Sequence, residues 1–394
     1  MTRIFLDGYY GYSNVGDEAI LQSLLDQLWK DDTITVATSD PVSTINTHPR
    51  IDKTIKRKSF HSINPYLLYS VVSATDYWKE LKKADELWIG GGELIRDSSL
   101  YQHSILTIVA RSLGTKVRFI GVGGAAVSQN WRNEFVLKPL LESTTSVTVR
   151  DDITKSNLQS LGVQAPITVK PDPVFSLSVS EPLSEDFKWI PHGNYCVIAV
   201  RSPSDREFDT RSFAKFIDEL SNSTSLHPIF IPFHETQSPP DSQVAETIAK
   251  QMQTDATIIK RRVDYSDAYK IIEKADYVVG VRLHSLIYAC NTETPFFGFA
   301  YAQKSKALLK ELGQEVIWCD NIDVGKAMAI APAEPASSHD KKNTKKIKES
   351  ARDLVKHSRS KNNNSWKPLK LLSIIIFLPL IDLYYYIKNS RWQN

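Results

Sequence analysis

Short apolar runs recur along the chain, and each is bounded by Gly, Asp or Pro and followed by a segment with helical spacing of its hydrophobic residues. This alternation of strands and helices predicts parallel βαβ units. The pattern pauses at a polar stretch with Pro182 and the turn-like residues 191–194, then restarts. We therefore predict two doubly wound α/β domains with a boundary near residues 176–194. The predicted strands are residues 3–6, 33–37, 86–89, 117–122, 146–149, 167–169, 195–200, 228–233, 256–259, 277–279, 296–299 and 315–318.

The C-terminal part of the sequence has a different character. Residues 331–366 are polar and basic, and their middle, 346–357, is compatible with a helix. Residues 371–387 form the only strongly apolar run. As a helix this run measures about 25 Å, short for a membrane span of about 30 Å, and Pro379 and Asp382 disfavour a clean crossing. Lysine, arginine and tryptophan flank it, which is typical of a membrane interface.

These patterns predict four parts: a Rossmann-like domain over 1–180, a second over 190–330, a basic linker or helix over 331–366, and a hydrophobic helix as membrane-anchor candidate over 367–394. A C-terminal helix packed on the protein's own core is the alternative for the last part. The N-terminus has no apolar segment followed by a small-residue cleavage site, so we expect no secretory signal peptide.

Composition excludes several function classes. The 394 residues include 48 Lys and Arg against 45 Asp and Glu, a net charge of +3, which is too balanced for a protein that binds nucleic acid along its surface. The cysteines, Cys196, Cys290 and Cys319, are widely spaced and form no CxxC pair. This spacing argues against a disulfide framework and against a thiolate zinc site, and we expect no bound metal and a reducing compartment.

Three glycine-rich loops follow predicted strands of the first domain, at residues 7–16, 90–93 and 121–124. Loops at the carboxyl ends of parallel strands form the ligand crevice of such domains. The first loop lacks the GxGxxG pattern of dinucleotide sites, and Asp17 and Glu18 already complement the positive end of the following helix. A crevice for a polar ligand and a set of tight structural turns are both compatible with these loops.

Arg150 and Asp172 also follow strands of the first domain. A strand-end arginine can bind a carboxylate or phosphate through its planar guanidinium. A salt bridge to Asp151 or Asp172 is the alternative. Asp172 lies between two prolines, where it could orient a sugar hydroxyl or cap a turn.

The second domain carries its charged residues at the same kind of position. Arg201 follows one strand, and Lys304 follows another. A third strand turns through Gly280 into a helix that has Arg282 and His284 at its start, where free backbone amides favour an anion. A histidine beside an arginine at such a turn is a candidate for catalysis or for a structural role. No Ser-His-Asp elbow is present, which disfavours a hydrolase.

Taken in order along the chain, these segments resemble the polysaccharide pyruvyl transferase family. Two positions depart from the family pattern: Glu93 stands where a further Gly is common, and Ala302 where Asp is often found. The matching segments are residues 8–20, 90–94, 149–151, 161–163, 172–173 and 280–286, followed by Lys304.

The resemblance implies a fold like that of GT-B glycosyltransferases, with two Rossmann-like domains facing across a cleft. It also implies phosphoenolpyruvate as donor, a sugar diol as acceptor, and a pyruvate ketal on a cell-surface polysaccharide or its lipid-linked precursor as product. No cofactor beyond this co-substrate is expected. From the apolar run 371–387 with its basic flanks and from the missing signal peptide, we expect a cytoplasmic protein attached to the inner face of the cell membrane.

Ketal formation needs a group that carries protons in both directions, and an imidazole does this near neutral pH. We therefore expect His284 as general acid and base, with Arg150 and Lys304 holding the carboxylate and phosphate of the donor. Arg201, Arg282 and Ser285 are further donor-binding candidates. The acceptor-binding candidates are Gly11, Asn14, Gly16, Asp17, Gly91, Gly92 and Asp172.

Two other functions are compatible with the sequence. A nucleotide-sugar glycosyltransferase of the same fold would use the same cations on a diphosphate. A membrane-tethered glycan-binding protein without catalysis is the other alternative, and the joint presence of Arg150, His284 and Lys304 speaks against it.

Overall fold

The structure is a computed structural model, which describes residues 1–57, 76–97, 99–125, 127–203, 206–331 and 341–361. The apolar run 371–387 lies outside the described residues, so its role as a membrane anchor stays a prediction. Within the described ranges, no helix is long and apolar enough to cross a membrane.

The first sheet is parallel throughout and has the strand order β3-β2-β1-β4-β5-β6-β7. The chain winds outward in both directions from the β1–β4 pair, which is the switch point where ligands bind in doubly wound sheets. The strands are β1 (Arg3–Asp7), β2 (Thr33–Thr38), β3 (Lys53–Lys56), β4 (Glu86–Gly90), β5 (Lys116–Val122), β6 (Ser146–Val149) and β7 (Ile167–Val169). The helices between them are α1 (Val15–Asp26), α2 (Pro41–Thr47), α3 (Asp76–Lys83), α4 (Leu100–Ser112), α5 (Trp131–Glu142) and α6 (Asp152–Ser160).

The second sheet repeats this plan with the order β10-β9-β8-β11-β12-β13. Aromatic rings form part of its core, where Phe213 and Phe216 contact Phe299 at centroid distances of 5.3 Å each. The strands are β8 (Tyr195–Ala199), β9 (His227–Phe230), β10 (Thr257–Ile258), β11 (Tyr277–Gly280), β12 (Phe296–Ala300) and β13 (Ile317–Trp318). The helices are α7 (Thr210–Thr224), α8 (Asp241–Ala249), α9 (Tyr265–Glu273), α10 (Leu283–Thr292), α11 (Gln303–Glu311) and α12 (Val324–Ile330). The prediction of two parallel α/β domains is confirmed.

The chain divides into two compact units whose boundaries differ from the predicted 1–180 and 190–330. Among the described residues, the first unit contains Met1–Gly11, Leu24–Asp172 and 353–361, and the second contains Tyr12–Ser23 and Pro173–Arg352. Residues 12–23 belong to the second unit because their backbone bonds to the loop after β9. The amide of Val15 donates to the carbonyl of Phe233 at 2.9 Å, and Asn14 forms an antiparallel bridge with His234.

The described part of the segment predicted as a linker or helix forms two helices, α13 (Lys341–Arg352) in the second unit and α14 (Leu354–Ser360) in the first. They include all of 346–357, the part compatible with a helix in the sequence, except residue 353. Arg118 of β5 holds the end of α14, because it donates to the carbonyl oxygens of Ser358 at 2.7 Å and Lys361 at 3.0 Å. The same guanidinium forms a buried ion pair with Glu86 at 3.1 Å. The chain therefore returns to the first sheet before residue 362.

Candidate functional site

Charged or aromatic residues follow the carboxyl ends of three neighbouring strands of the second sheet, β8, β11 and β12. Arg201 follows β8, Arg282 follows β11, and Tyr301 follows β12. Because the strands are parallel and adjacent, the segments that follow them lie at the same carboxyl edge of the sheet. The candidate site of the second unit is built from this edge.

Helix α10 places His284 in its first turn. Arg282 occupies the N-cap position with extended backbone angles, and the hydroxyl of Ser285 donates to its carbonyl oxygen at 2.6 Å. Ser285 is fully buried, whereas His284 is only partly buried. The hydroxyl of Ser285 thus stabilises the turn. The imidazole of His284 lies at the start of the helix.

The imidazole of His284 packs directly on the backbone of Gly16. A Cβ atom added to Gly16 would lie 2.0 Å from Nδ1 of His284, so no larger residue fits without moving the ring. The amide of Gly16 donates to the side-chain oxygen of Asn14 at 3.1 Å. The structure therefore brings the predicted catalytic His284 together with Asn14 and Gly16, two predicted acceptor-binding residues. Asp17 follows in the first turn of α1.

Arg201 and Lys304 gather around one aromatic ring, that of Tyr301. The guanidinium carbon of Arg201 lies 4.4 Å from the ring centroid, and Nζ of Lys304 lies 5.8 Å from it. Ser305 fixes the start of α11, because its hydroxyl oxygen accepts the amides of Tyr301 and Ala302 at 3.0 Å each. Two cations held on one ring make a positive locus suited to an anionic ligand.

The guanidinium of Arg282 forms an ion pair with the buried carboxylate of Asp241. Its Nε donates to Oδ2 of Asp241 at 2.8 Å, and a terminal nitrogen donates to the other oxygen of the same group. Asp241 was not predicted as a site residue, because in the sequence it resembles an ordinary acidic residue at a helix start. Burial and the neighbouring Arg282 lower the pKa of His234 to about 4, so that this second histidine is neutral at neutral pH. The ligand role predicted for Arg282 stays a prediction.

Arg150 lies in the first unit among three carboxylates. Its guanidinium pairs with Glu93, with Asp172 at 3.3 Å and with Asp151 at 3.7 Å, and only 6% of its side chain is exposed. The salt bridge considered as an alternative in the sequence is therefore present. It joins the strand-end loops after β4, β6 and β7.

The predicted glycines of the first unit lie in the loops after β1 and β4. Gly91 and Gly92 have φ angles of +71° and +69°, the left-handed region in which only glycine is unstrained. The amide of Gly123 donates to the carbonyl of Gly92 at 2.7 Å, and the hydroxyl of Ser39 donates to the carbonyl of Gly11. These contacts hold the loops in place. The acceptor-binding role of Gly11, Gly91 and Gly92 stays a prediction.

A protein metal site usually needs three or more His, Cys, Asp or Glu side chains that converge on one point. Across the described ranges, no group of three such residues is arranged to hold a metal ion. The expectation that the protein binds no metal stays a prediction.

Residues 14–303 match the family model described as polysaccharide pyruvyl transferase. The chain belongs to the polysaccharide pyruvyl transferase family. The match includes Asn14, Gly16, Arg150, Arg201 and His284, so it spans both units. The family is an enzyme family of polysaccharide biosynthesis, and the chain is identified as one of its members. No curated protein sequence matches the chain significantly.

Solved structures similar to this pyruvyl transferase family member show its fold. UDP-GlcNAc 2-epimerase from Methanocaldococcus jannaschii is 14% identical and has a TM-score of 0.63, with 91% of this chain and 100% of that chain covered. UDP-GlcNAc 2-epimerase from Neisseria meningitidis bound to UDP-GlcNAc is 12% identical, with a TM-score of 0.59 and the same coverage. These epimerases are GT-B-like, in agreement with the predicted fold class. The cleft between the domains stays a prediction.

Proposed function

We propose that this protein transfers the pyruvyl group of phosphoenolpyruvate to two hydroxyls of a sugar, in a cell-surface polysaccharide or its lipid-linked precursor, and releases phosphate. One observation carries the proposal: within the second unit, His284 stands at the start of α10, and the cations Arg201 and Lys304 gather around Tyr301. A proton carrier and a locus for a carboxylate and a phosphate are the two requirements of this chemistry.

The proposed reaction has two additions. A proton is added to the methylene carbon of phosphoenolpyruvate while one sugar hydroxyl attacks the neighbouring carbon and gives up its proton. Phosphate then leaves with its bonding electrons and takes a proton from His284, and the second hydroxyl attacks the same carbon and gives its proton to His284. The sum is phosphoenolpyruvate and diol to ketal and phosphate. His284 donates and accepts these protons, and no redox step is involved.

The cations divide between binding and positioning. Arg201 and Lys304 hold the carboxylate and phosphate of the donor, because both lie around Tyr301 at the strand-end edge. Three carboxylates already surround Arg150, which makes it a poor ligand for a further anion. We propose instead that Arg150 orients the carboxylates of Glu93 and Asp172. Their oxygens can accept hydrogen bonds from sugar hydroxyls.

Phosphate release tests this proposal directly. Purified protein is given phosphoenolpyruvate and a panel of lipid-linked and model β-glycosides, and inorganic phosphate is measured with and without each acceptor. We expect release that depends on the acceptor, with the ketal found on the sugar by mass spectrometry. No release with any acceptor, together with thermal stabilisation by a nucleotide-sugar and none by phosphoenolpyruvate, overturns the proposal in favour of glycosyl transfer. Binding of glycan without turnover indicates a binding protein.

We also propose that residues 367–394 attach the protein to the inner face of the cell membrane. The support is the apolar run 371–387 with its basic flanks and the anchorage of Lys361 on the first unit by Arg118. A chain ending at Lys361 keeps this anchorage and lacks the run. We expect it to lose binding to anionic lipid vesicles that the full chain retains. Equal partition of the two chains contradicts the attachment.

A further inference from the structure

Asp241 is a buried carboxylate at the strand-end edge of the second unit, and it accepts five hydrogen bonds. It is 1% exposed, and its Oδ2 accepts the backbone amides of Phe233 and His234 at 3.0 Å each, in addition to Nε of Arg282. Its Oδ1 accepts the side-chain amide of Gln237 at 2.6 Å and the second bond from Arg282. None of these donors belongs to α8.

These contacts differ from those of an ordinary acidic residue at a helix start. Such a residue complements the free amides of its own helix. Asp241 is the first residue of α8, yet these donors to its carboxylate come from the loop after β9 and from the turn after β11. Its side chain therefore joins two strand ends.

The Asp241–Arg282 pair extends this link to a third strand. The amides of Val281 and Arg282 donate to the carbonyl of Ala199, the last residue of β8, at 2.8 and 3.2 Å. Arg282 is also the residue that directly precedes α10, and His284 is the second residue of that helix. We therefore expect a movement of Arg282 to move the start of α10, and with it the imidazole of His284.

We propose that Asp241 is a positioning residue, which fixes Arg282 and through it the orientation of His284. The inference rests on the proposed function. Asp241 acts through the backbone and side chain of Arg282 and needs no contact with either substrate. Its carboxylate also holds the loop that bears His234, so one buried group sets the geometry of both histidines.

Kinetics of Asp241→Asn test the proposal, because the amide keeps the shape of the carboxylate and removes its charge. We expect kcat for acceptor-dependent phosphate release to fall about tenfold or more, with the KM for phosphoenolpyruvate changed far less. Glu235→Gln is the matched control. Glu235 lies on the same loop and accepts the amide of Ser242 at 3.0 Å and its hydroxyl at 2.6 Å. An unchanged kcat in Asp241→Asn, or the same loss in Glu235→Gln, overturns the proposal.

A double variant separates positioning from a general loss of folding. Asp241→Asn alone leaves a buried guanidinium without its counterion, whereas Asp241→Asn with Arg282→Gln removes both charges of the pair. If the two residues act as one unit, the double variant loses no more kcat than the worse single variant. Losses that multiply indicate that Arg282 acts independently of Asp241, and they overturn the proposal.

Histidine spectra give a readout that needs no substrate. In protein labelled with ¹⁵N-histidine, we expect Asp241→Asn to shift the ring resonances of His284 and His234, and Glu235→Gln to leave those of His284 in place. If the wild-type protein releases no phosphate from phosphoenolpyruvate, the proposed function fails while this test still stands. An unmoved His284 resonance in a folded Asp241→Asn protein refutes the positioning role itself.

Discussion

We expect His284→Ala to lower kcat for acceptor-dependent phosphate release by about 100-fold to 10,000-fold, the range usual for loss of a general acid and base. The imidazole is the proton carrier of the proposed reaction, and it lies in the first turn of α10 against Gly16. Because the reaction requires protonation of a carbon atom, water replaces this group poorly. Steady-state phosphate release with phosphoenolpyruvate and the best acceptor measures the loss.

His227→Ala is the control for this variant. His227 is the first residue of β9, and so it lies at the amino end of the sheet, where its Nε2 is 2.8 Å from the hydroxyl of Thr257. We expect its removal to leave kcat within about twofold, as for surface substitutions away from a site. Retention of full activity in His284→Ala would show that another group carries the proton, and His234 would then be the next residue to replace.

The parallel sheets could be predicted from sequence because their central strands are buried on both faces and read as continuous apolar runs. Strand β3 (Lys53–Lys56) was not predicted. It is an edge strand in which only Ile55 is buried, and four residues with one apolar side chain carry no recognisable pattern. Strand β10, at the edge of the second sheet, is shorter than predicted, Thr257–Ile258 against 256–259.

The division of the chain could not be predicted from local patterns. Four residues separate 12–23 from the end of the first strand, and their position in the sequence assigns them to the first domain. Their place in the second unit depends on long-range backbone bonds such as that between Val15 and Phe233. Helices α13 and α14 lie in the basic segment for which the sequence allowed either a linker or a helix, and they are held by burial of Ile347, Leu354 and Val355.

The candidate site was partly accessible from sequence. Rules for strand ends located Arg201, His284 and Lys304, because the position of a residue after a parallel strand places it at the ligand edge. Tyr301 was not singled out, although it directly follows β12, since a buried aromatic residue there is more often part of the core. The role of Asp241 depends on its contact with Arg282, which is 41 residues away, and no local sequence pattern reveals that contact.

We expect Gly16→Ala to lower kcat by roughly 100-fold, the loss that a misplacement of about 1 Å can cause. The added methyl group would lie 2.0 Å from Nδ1 and 2.7 Å from Cγ of His284, so the whole ring must move. The backbone itself accepts alanine, because Gly16 lies in α1 and has no left-handed φ angle. Alanine in a helix is favoured over glycine by about 0.5–1 kcal/mol, so we expect a folded protein of similar stability with impaired turnover.

Gly325→Ala provides the matched control for the same chemical change in the same unit. Gly325 lies in α12, and its added Cβ would meet only Oδ1 of Asp323 at 3.5 Å, an ordinary contact. We expect this variant to keep wild-type kcat. Thermal unfolding and phosphate release are measured on both variants. Loss of activity in Gly16→Ala with unchanged Tm, beside an active Gly325→Ala, would show that catalysis depends on how closely the first turn of α1 approaches His284. Full activity in Gly16→Ala would show that the imidazole has room to act elsewhere, because the methyl group leaves it none in its present place.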